Sequence, residues 1–392
     1  MDAVAQKSRC IRTPRAHRSF AALARADARG ADAPRPLATM PDMETDVVVT
    51  RLAPGADRAT SAPPAATAEG LQHFLRNELR ALDARLRATL DSDVTLVRSI
   101  ADYIVSAGGK RLRPVLVFLA AQAAGGNALA PTTVDLAATV ELIHTATLLH
   151  DDVVDESALR RGRATANAEF GNAASVLVGD FLYSRAFQVM VGCGRMRVME
   201  LMAEATNRIA EGEVMQLMAL GRFDITEADY MQVIEAKTAK LFEAAGALGA
   251  IAAGADERTE RALAEYSRRL GVAFQIADDV LDYRGDAHTL GKSLGDDLAE
   301  GKLTLPIILA LQRGSPSERT LILGVLAKPH AVETAQFRQI MAVLEATGAL
   351  DAALARAQRE ADAAAGELAA LPASNARQWM LELCAYAVNR DV

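Results

Sequence analysis

The sequence predicts an all-α fold, and three observations carry that reading. Aromatic residues are only 4% of the chain while apolar residues are 51% and Ala is very frequent, a balance that favours closely packed helices over a sheet. Apolar residues recur at spacings of three and four in segment after segment. No alternating stretch is long enough to build a sheet. The 392 residues suffice for one large domain or two. Short breaks and continuous apolar content from residue 67 to 392 predict a single domain of about a dozen helices.

Residues 1–66 stand apart, with many Arg, Ala and Pro, few large apolar residues and no periodicity, and are read as a disordered extension. The first 40 residues hold seven Arg, one Lys and three acids, a balance compatible with a transit peptide, although they form no clear amphipathic helix. A start at Met40 or Met43 is the alternative reading of that segment.

From there the helices follow in order. LQHFLRNELRALDARLRATL carries the three-and-four spacing, and VTLVRSIADYIVSAGG follows it, ended by Gly108 and Gly109. PVLVFLAAQAA opens on Pro114 at a favoured first-turn position and stops at Gly125-Gly126-Asn127. The next helix starts near Pro131 and runs through the first aspartates. Further helices are predicted over about 173–192, 195–220, 227–253, 257–284, 304–312, 317–327, 333–346, 350–370 and 375–389.

A net charge of −7, with basic residues dispersed or set beside aspartates, leaves no footprint for nucleic acid. Cys10, Cys193 and Cys384 are far apart and form no CxxC, so neither a disulfide framework nor a zinc site is indicated; a reducing, cytoplasmic setting fits. No apolar run approaches the length of a bilayer span.

The chemistry concentrates in ELIHTATLLHDDVVDESALRRGR, residues 141–163. Asp151 and Asp155 stand four residues apart and so share a helix face, with Asp152 beside them. The same spacing returns in QIADDVLD as Asp278, Asp279 and Asp282. One such triplet is weak evidence, because acidic clusters on solvated helices are common; two, each among apolar neighbours, predict two acidic walls facing one cavity. Carboxylates so close repel unless a cation lies between them, and Mg²⁺, which bridges carboxylates to phosphate oxygens, is the natural candidate.

Basic residues gather around these walls. Gly108-Gly109-Lys110-Arg111-Leu112-Arg113-Pro114 sets cations after a double glycine; alone it reads as a helix end with solvated charges, beside the walls as a phosphate grip. Arg160 and Arg161 follow the first triplet, Lys237-Thr238 lies in a small-residue helix, and Lys292 and Lys302 frame a charged, Gly-rich loop after the second triplet. His144 stands two turns before Asp151 on the same face; a lone His is more often a satisfied core residue, but this face is committed to anions. Together they specify a diphosphate held by metal and cations above an apolar, water-excluding channel.

GGKRLRP, LLHDDVVDESALRRGRAT, GNAASVLVGDFLYSRAF, Lys237-Thr238, FQIADDVLDY and GDDLAEGKLTLP resemble the successive motifs of the trans-polyprenyl diphosphate synthases, most closely the long-chain, octaprenyl-type members. The likeness covers roughly residue 75 to the C-terminus and is highly specific, six motifs standing in the family's order. It implies the isoprenoid synthase fold around a deep central cavity, a homodimer, and three Mg²⁺ per active site. The implied reaction is sequential 1′-4 condensation of isopentenyl diphosphate onto an allylic diphosphate by ionisation, attack and proton loss. Carried over by motif, Lys110, Arg113, His144 and Arg161 would bind isopentenyl diphosphate; Arg160, Lys237, Thr238, Gln275, Lys292 and Lys302 would bind the allylic diphosphate. Asp151, Asp152 and Asp155 match the first metal motif and Asp278, Asp279 and Asp282 the second. Catalysis is expected of Asp151, Asp155, Lys237 and Asp278. The expected product passes to a quinone side chain, with only transient membrane contact for its release.

Product length follows from the aspartate helix. Ala146 and Thr147, one turn deeper than Asp151, are small, so nothing bulky blocks a growing tail and a long product is expected, with Ile143 or Leu142 lining the passage a turn below. Two other readings compete. A terpene cyclase would have no use for Lys110, Arg113 and His144, and a regulatory subunit without catalysis would be expected to lack one aspartate wall; both walls are complete here.

Overall fold

A computed structural model of the chain describes residues 68–106, 109–160, 162–284, 295–328 and 332–389. The extension 1–66 and its boundary with the domain, together with Cys10, Arg161 and Lys292, lie outside the described residues. The described residues are helical nearly throughout, as the apolar spacing predicts.

Helix α1 (Ala68–Leu90) buries Leu71, Leu75, Leu82 and Leu86, an interval of four, seven and four that keeps one stripe inward. Helix α2 (Thr95–Ser106) follows, then α3 (Leu112–Ala123) and α4 (Pro131–Val154). Pro114 sits in the first turn of α3, two residues inside the start, while Pro131 opens α4, where its missing N–H costs nothing. After α4 comes a two-residue hairpin, β1 (Leu159–Arg160) with β2 (Arg163–Ala164), turned by Gly162 at φ 73. It is the only pairing of strands among the described residues.

Helices α5 (Ala166–Phe170), α6 (Asn172–Gly192), α7 (Met196–Ala219) and α8 (Glu227–Ile234) lead to α9 (Lys240–Ala253) and α10 (Glu257–Arg284). The chain closes with α11 (Asp296–Ala299), α12 (Leu305–Arg313), α13 (Pro316–Leu326), α14 (Thr334–Ala346), α15 (Ala349–Glu367) and α16 (Asn375–Val388). One departure matters for the site. The continuous helix predicted over 227–253 is interrupted by a π-helical turn at Glu235–Ala239, which no Gly or Pro in EAKTA announces.

Helix α9 is the hub. It packs against α3, α4 and α10, and so touches both aspartate-bearing helices. Its sequence KLFEAAGALGAIAA makes this possible by leaving no bulk between backbones. A Cβ on Gly246 would stand 2.2 Å from the Leu263 carbonyl oxygen of α10, and one on Gly249 2.5 Å from that of Val117 in α3. Either Gly→Ala change would force the helices apart, at a cost typical of core overpacking, about 1–3 kcal/mol. Cys193 and Cys384 are free thiols. Among the described residues no helix is long and apolar enough to cross a membrane.

Candidate active site

The end of α4 delivers the first carboxylates. Asp151 is half-buried on the last turn, and Asp155 caps the helix with its N–H on the Asp151 carbonyl oxygen at 2.8 Å, so the two remain one turn apart on one face. Asp152 points elsewhere. It is buried, and its Oδ1 accepts from Arg160 Nε at 2.9 Å and Nη2 at 2.7 Å, while its backbone carbonyl oxygen accepts from Asn167. A rotation of about 100° per residue separates these faces, so adjacent aspartates take different duties.

Each outward carboxylate of this wall meets a lysine from a distant element. Lys237 Nζ lies 3.6 Å from Asp151, and Lys302 Nζ lies 3.1 Å from Asp155. Burial pushes the Asp151 carboxyl above its ordinary range; Lys237 pulls it back and Asp155 pushes it further. Burial alone would lower the pKa of Lys302, but Glu300 and Asp155 outweigh it and raise it well above the ordinary lysine value.

The second wall is assembled differently. On α10 Asp278 is half-buried, whereas Asp279 and Asp282 are 3% and 1% exposed. Tyr230 donates to Asp279 Oδ2 at 2.6 Å and Gln275 donates to Oδ1 at 2.8 Å. Asp282 accepts from the Asp297 backbone N–H at 3.2 Å, tying α10 to the start of α11. Burial raises the Asp279 carboxyl to about 7 against the hydrogen bonds from Tyr230 and Gln275, with Asp278 and Asp282 adding to the rise.

The π-turn joins the walls. Thr238 donates to Gln275 Oε1 at 3.0 Å, so a chain of hydrogen bonds runs from Tyr230 through Asp279 and Gln275 to Thr238, next to Lys237. The extra residue of a π-turn swings side chains out of the α-helical register, which is why such turns recur at functional sites. Here it aims Lys237 at Asp151 and Thr238 at Gln275.

Lys110, Arg113 and His144 stand on the α3–α4 side, connected through the neighbouring Phe242 and Phe274 rings. Arg113 Nη1 donates to His144 Nε2 at 3.1 Å; since guanidinium carries donors only, the imidazole proton sits on Nδ1. The same guanidinium stacks on Phe242 of α9, 4.6 Å from the ring centroid. Lys110 is exposed, 5.8 Å above the Phe274 ring, one residue before Gln275.

A cavity of roughly 650 Å³, counting its solvent-open part, lies beside the first wall and is lined by His144, Thr145, Leu148, Asp152, Arg160 and Arg163. Ile104, Arg111, Glu141 and Thr145 also line a smaller hollow of about 280 Å³ that reaches Leu86, Leu90 and Leu182. Ala146 and Ile143 are fully buried and line neither; Thr147 is half-buried, its hydroxyl on the His144 carbonyl oxygen.

Four features here escape sequence reasoning. Glu213 on α7 holds Lys237 Nζ at 2.7 Å; burial raises its carboxyl to about 7, with Lys237 lowering and Asp151 raising it. Tyr230 anchors Asp279. Arg111, in a left-handed conformation at φ 47, ion-pairs with buried Glu141. The π-turn is the fourth. None has a local signal, because each depends on which helices meet.

Among the described residues no three carboxylate, histidine or thiol groups converge closely enough to hold a metal ion alone. The donors do fit a hard divalent cation of the kind that uses one or two carboxylates and completes its shell with water and phosphate. Asp151 and Asp155 offer only oxygens, and each already faces a lysine ammonium, a positive charge standing where a metal ion would.

Comparison with known proteins bears on the family and the fold. Residues 94–344 match the family model described as polyprenyl synthetase. The chain is 48% identical over 325 residues to the octaprenyl diphosphate synthase of Escherichia coli (strain K12), covering 82% of this chain and 99% of that one. It is 46% identical over 313 residues to the all-trans-nonaprenyl-diphosphate synthase (geranyl-diphosphate specific) of Rhodobacter capsulatus, covering 80% and 95%. A polyprenyl synthase structure from Caulobacter crescentus, complexed with calcium and isoprenyl diphosphate, is similar at TM-score 0.79 and 43% identity, over 86% of this chain and all of that one.

Proposed function

The chain belongs to the polyprenyl synthetase family, a prenyl-transferring enzyme of the trans type, and we propose that it extends farnesyl or geranyl diphosphate with isopentenyl diphosphate to about octaprenyl length. The observation that carries the reading is the meeting of two aspartate triplets across α9 and the π-turn, with the Lys110, Arg113 and His144 cluster beside them. One diphosphate site explains the walls; a second explains the cluster.

Family membership implies dependence on divalent metal, and we assign Mg²⁺, three ions per site. Asp151, Asp155 and Asp278 would hold it, being the carboxylates not drawn inward. Asp152, Asp279 and Asp282 support them, through Arg160, through Tyr230 and Gln275, and through the start of α11. Bound there, the metal neutralises diphosphate oxygens and improves the leaving group. Lys237, Thr238, Gln275, Arg160, Lys302 and Lys292 bind the allylic diphosphate, and the ammonium groups stabilise negative charge as the allylic C1–O bond breaks. Lys110, Arg113, His144 and Arg161 orient isopentenyl diphosphate so that its C4 attacks that carbon and its C2 proton leaves. Phe242 and Phe274 exclude water from the cation.

The tail is read as descending along α4 past Ala146, Thr147 and Ile143, although Ala146 and Ile143 are fully buried and the hollows beside α4 are lined instead by Leu142, Thr145 and Leu148. Ala146→Phe therefore shortens the product while turnover persists, and an unchanged product ladder in that variant would remove the tail from this path. Leu177, Val191, Val214, Leu217 and Met218 leave an exposed apolar face on α6 and α7, which supports a homodimer. Free thiols at Cys193 and Cys384 support a reducing, cytoplasmic setting, and the product serves a quinone side chain after transient membrane contact.

The test is a product assay with purified protein, Mg²⁺, farnesyl diphosphate and labelled isopentenyl diphosphate, resolved by chain length. One dominant product between octaprenyl and decaprenyl, abolished by EDTA, is expected from the relatives of those lengths. Hydrocarbon formed without consumption of isopentenyl diphosphate would instead favour a cyclase, and no turnover a regulatory subunit.

A further inference from the structure

Glu213 lies outside every sequence motif, yet it is the nearest carboxylate recorded for Lys237. Its place is set by Gly212. A Cβ on Gly212 would come within 2.6 Å of the Lys237 backbone nitrogen and 2.9 Å of Ala236 Cβ, so only glycine lets α7 press this closely on the π-turn. The next residue then reaches the lysine from the side of α7, at 2.7 Å, while Asp151 faces the same ammonium at 3.6 Å. The ammonium is shared unequally, and Glu213 has the larger share.

We propose that Glu213 is a positioning residue: it holds the Lys237 ammonium off Asp151, keeping that carboxylate open for a divalent cation and the ammonium turned to the allylic diphosphate. The proposal rests on the reading of this chamber as the allylic diphosphate site. Its physical basis is competition. The ion pair of Lys237 with Glu213 at 2.7 Å is closer than that with Asp151 at 3.6 Å, and since Coulomb attraction falls with separation the nearer carboxylate holds the ammonium. Remove Glu213 and the lysine collapses onto Asp151, withdrawing one carboxylate from the metal and one cation from the substrate together. Lys237 itself is fixed at its backbone by the π-turn, so the side chain alone is free to make this move.

The experiment titrates farnesyl thiolodiphosphate, an analogue that resists ionisation, with Mg²⁺ into wild type, Glu213→Ala, Glu213→Gln, Lys237→Ala and the Glu213→Ala/Lys237→Ala double variant, with melting temperatures in parallel. Glu213→Ala is expected to weaken binding roughly tenfold, the scale of losing one close ion pair in a partly buried site. Glu213→Gln, whose amide oxygen can accept from the ammonium, stays within about threefold of wild type. The double variant binds no worse than Lys237→Ala alone, because Glu213 acts through the lysine. The KM for isopentenyl diphosphate in Glu213→Ala remains that of wild type, since that substrate uses other cations.

Additive losses in the double variant, or a Glu213→Ala protein that binds the analogue as tightly as wild type or more tightly, would overturn the proposal alone. A wild-type protein that binds no analogue would overturn the site reading and the proposal with it.

Discussion

On α4 the carboxylates are met by cations from elsewhere in the chain; on α10 the adjoining Asp279 takes both its hydrogen bonds from the neutral Tyr230 and Gln275. The two triplets have one spacing, and the inner Asp279 differs from Asp151, Asp152 and Asp155 in having neutral hydrogen-bond donors. A wall balanced by lysines is a wall whose partners can be exchanged, since under the proposed reading Lys237 and Lys302 would trade a carboxylate for a diphosphate at little electrostatic cost. A buried carboxyl satisfied by tyrosine and glutamine is a fixed anchor. The same five-residue pattern thus builds both a reactive edge and the frame behind it. The outer positions, Asp151, Asp155 and Asp278, form the edge; the inner ones, Asp152, Asp279 and Asp282, form the frame.

The largest expected effect tests that division. Asp151→Ala or Asp278→Ala should lower turnover by on the order of a hundredfold or more, the scale on which lost electrostatic stabilisation of a transition state is felt. Asp152→Asn and Asp279→Asn should each lower it by less than about tenfold, because they disturb geometry without removing an outward ligand. Equal losses at inner and outer positions, measured as kcat/KM for the allylic substrate, would erase the distinction.

A second prediction uses pH to sharpen it. The Asp279 carboxyl is raised by burial from 3.8 to about 7, so the folded protein binds this proton more tightly than the unfolded chain. Its contribution to stability is therefore complete below about pH 4 and drains away as pH rises through about 7. Asp279→Asn has no such loss. Measured without divalent cation, the variant should gain on wild type as pH goes from acid to 8, by on the order of 1 kcal/mol at the upper end. A melting-temperature difference independent of pH would mean that Asp279 ionises as an ordinary aspartate.

The smallest effect belongs to the hairpin. Arg160→Gln removes the double hydrogen bond to Asp152, but Arg160 is partly exposed, so water screens the pair. The cost to stability should be about 1 kcal/mol or less, read by denaturant midpoint, and smaller still in high salt.

How far the sequence reaches is clear from these same residues. Spacing on a helix puts Asp151 with Asp155 and Asp278 with Asp282 on shared faces, while the family resemblance singles out Lys110, Arg113, His144, Lys237, Thr238 and Gln275, of which the structure pairs Lys237 with Asp151, Thr238 with Gln275 and Arg113 with His144. Spacing alone leaves open which way a helix is rotated in the core; it is the resemblance that sets Asp151, Asp155 and Asp278 apart from Asp152, Asp279 and Asp282, the same division that burial makes. Glu213 and Tyr230 are hidden for a related reason. In sequence Glu213 belongs to the charged run RIAEGEV and resembles a solvated face; only the approach of α7 to the π-turn turns it inward. The π-turn has no composition of its own and arises where α7, α9 and α10 meet. Ala146, small in sequence, and Ile143, expected to line the passage a turn below, are both fully buried in the fold.

The most direct test of the account is the Mg²⁺ activation of isopentenyl diphosphate incorporation, measured side by side for wild type, Asp151→Asn, Asp278→Asn, Asp152→Asn and Asp279→Asn. The account predicts that the two outer variants need far more Mg²⁺ and never regain the wild-type maximum, while the two inner variants keep the wild-type Mg²⁺ requirement at a modestly lower rate. If Asp279→Asn shifts the Mg²⁺ curve as far as Asp278→Asn does, the buried carboxyl is a ligand rather than an anchor, and the division of each triplet into edge and frame is wrong.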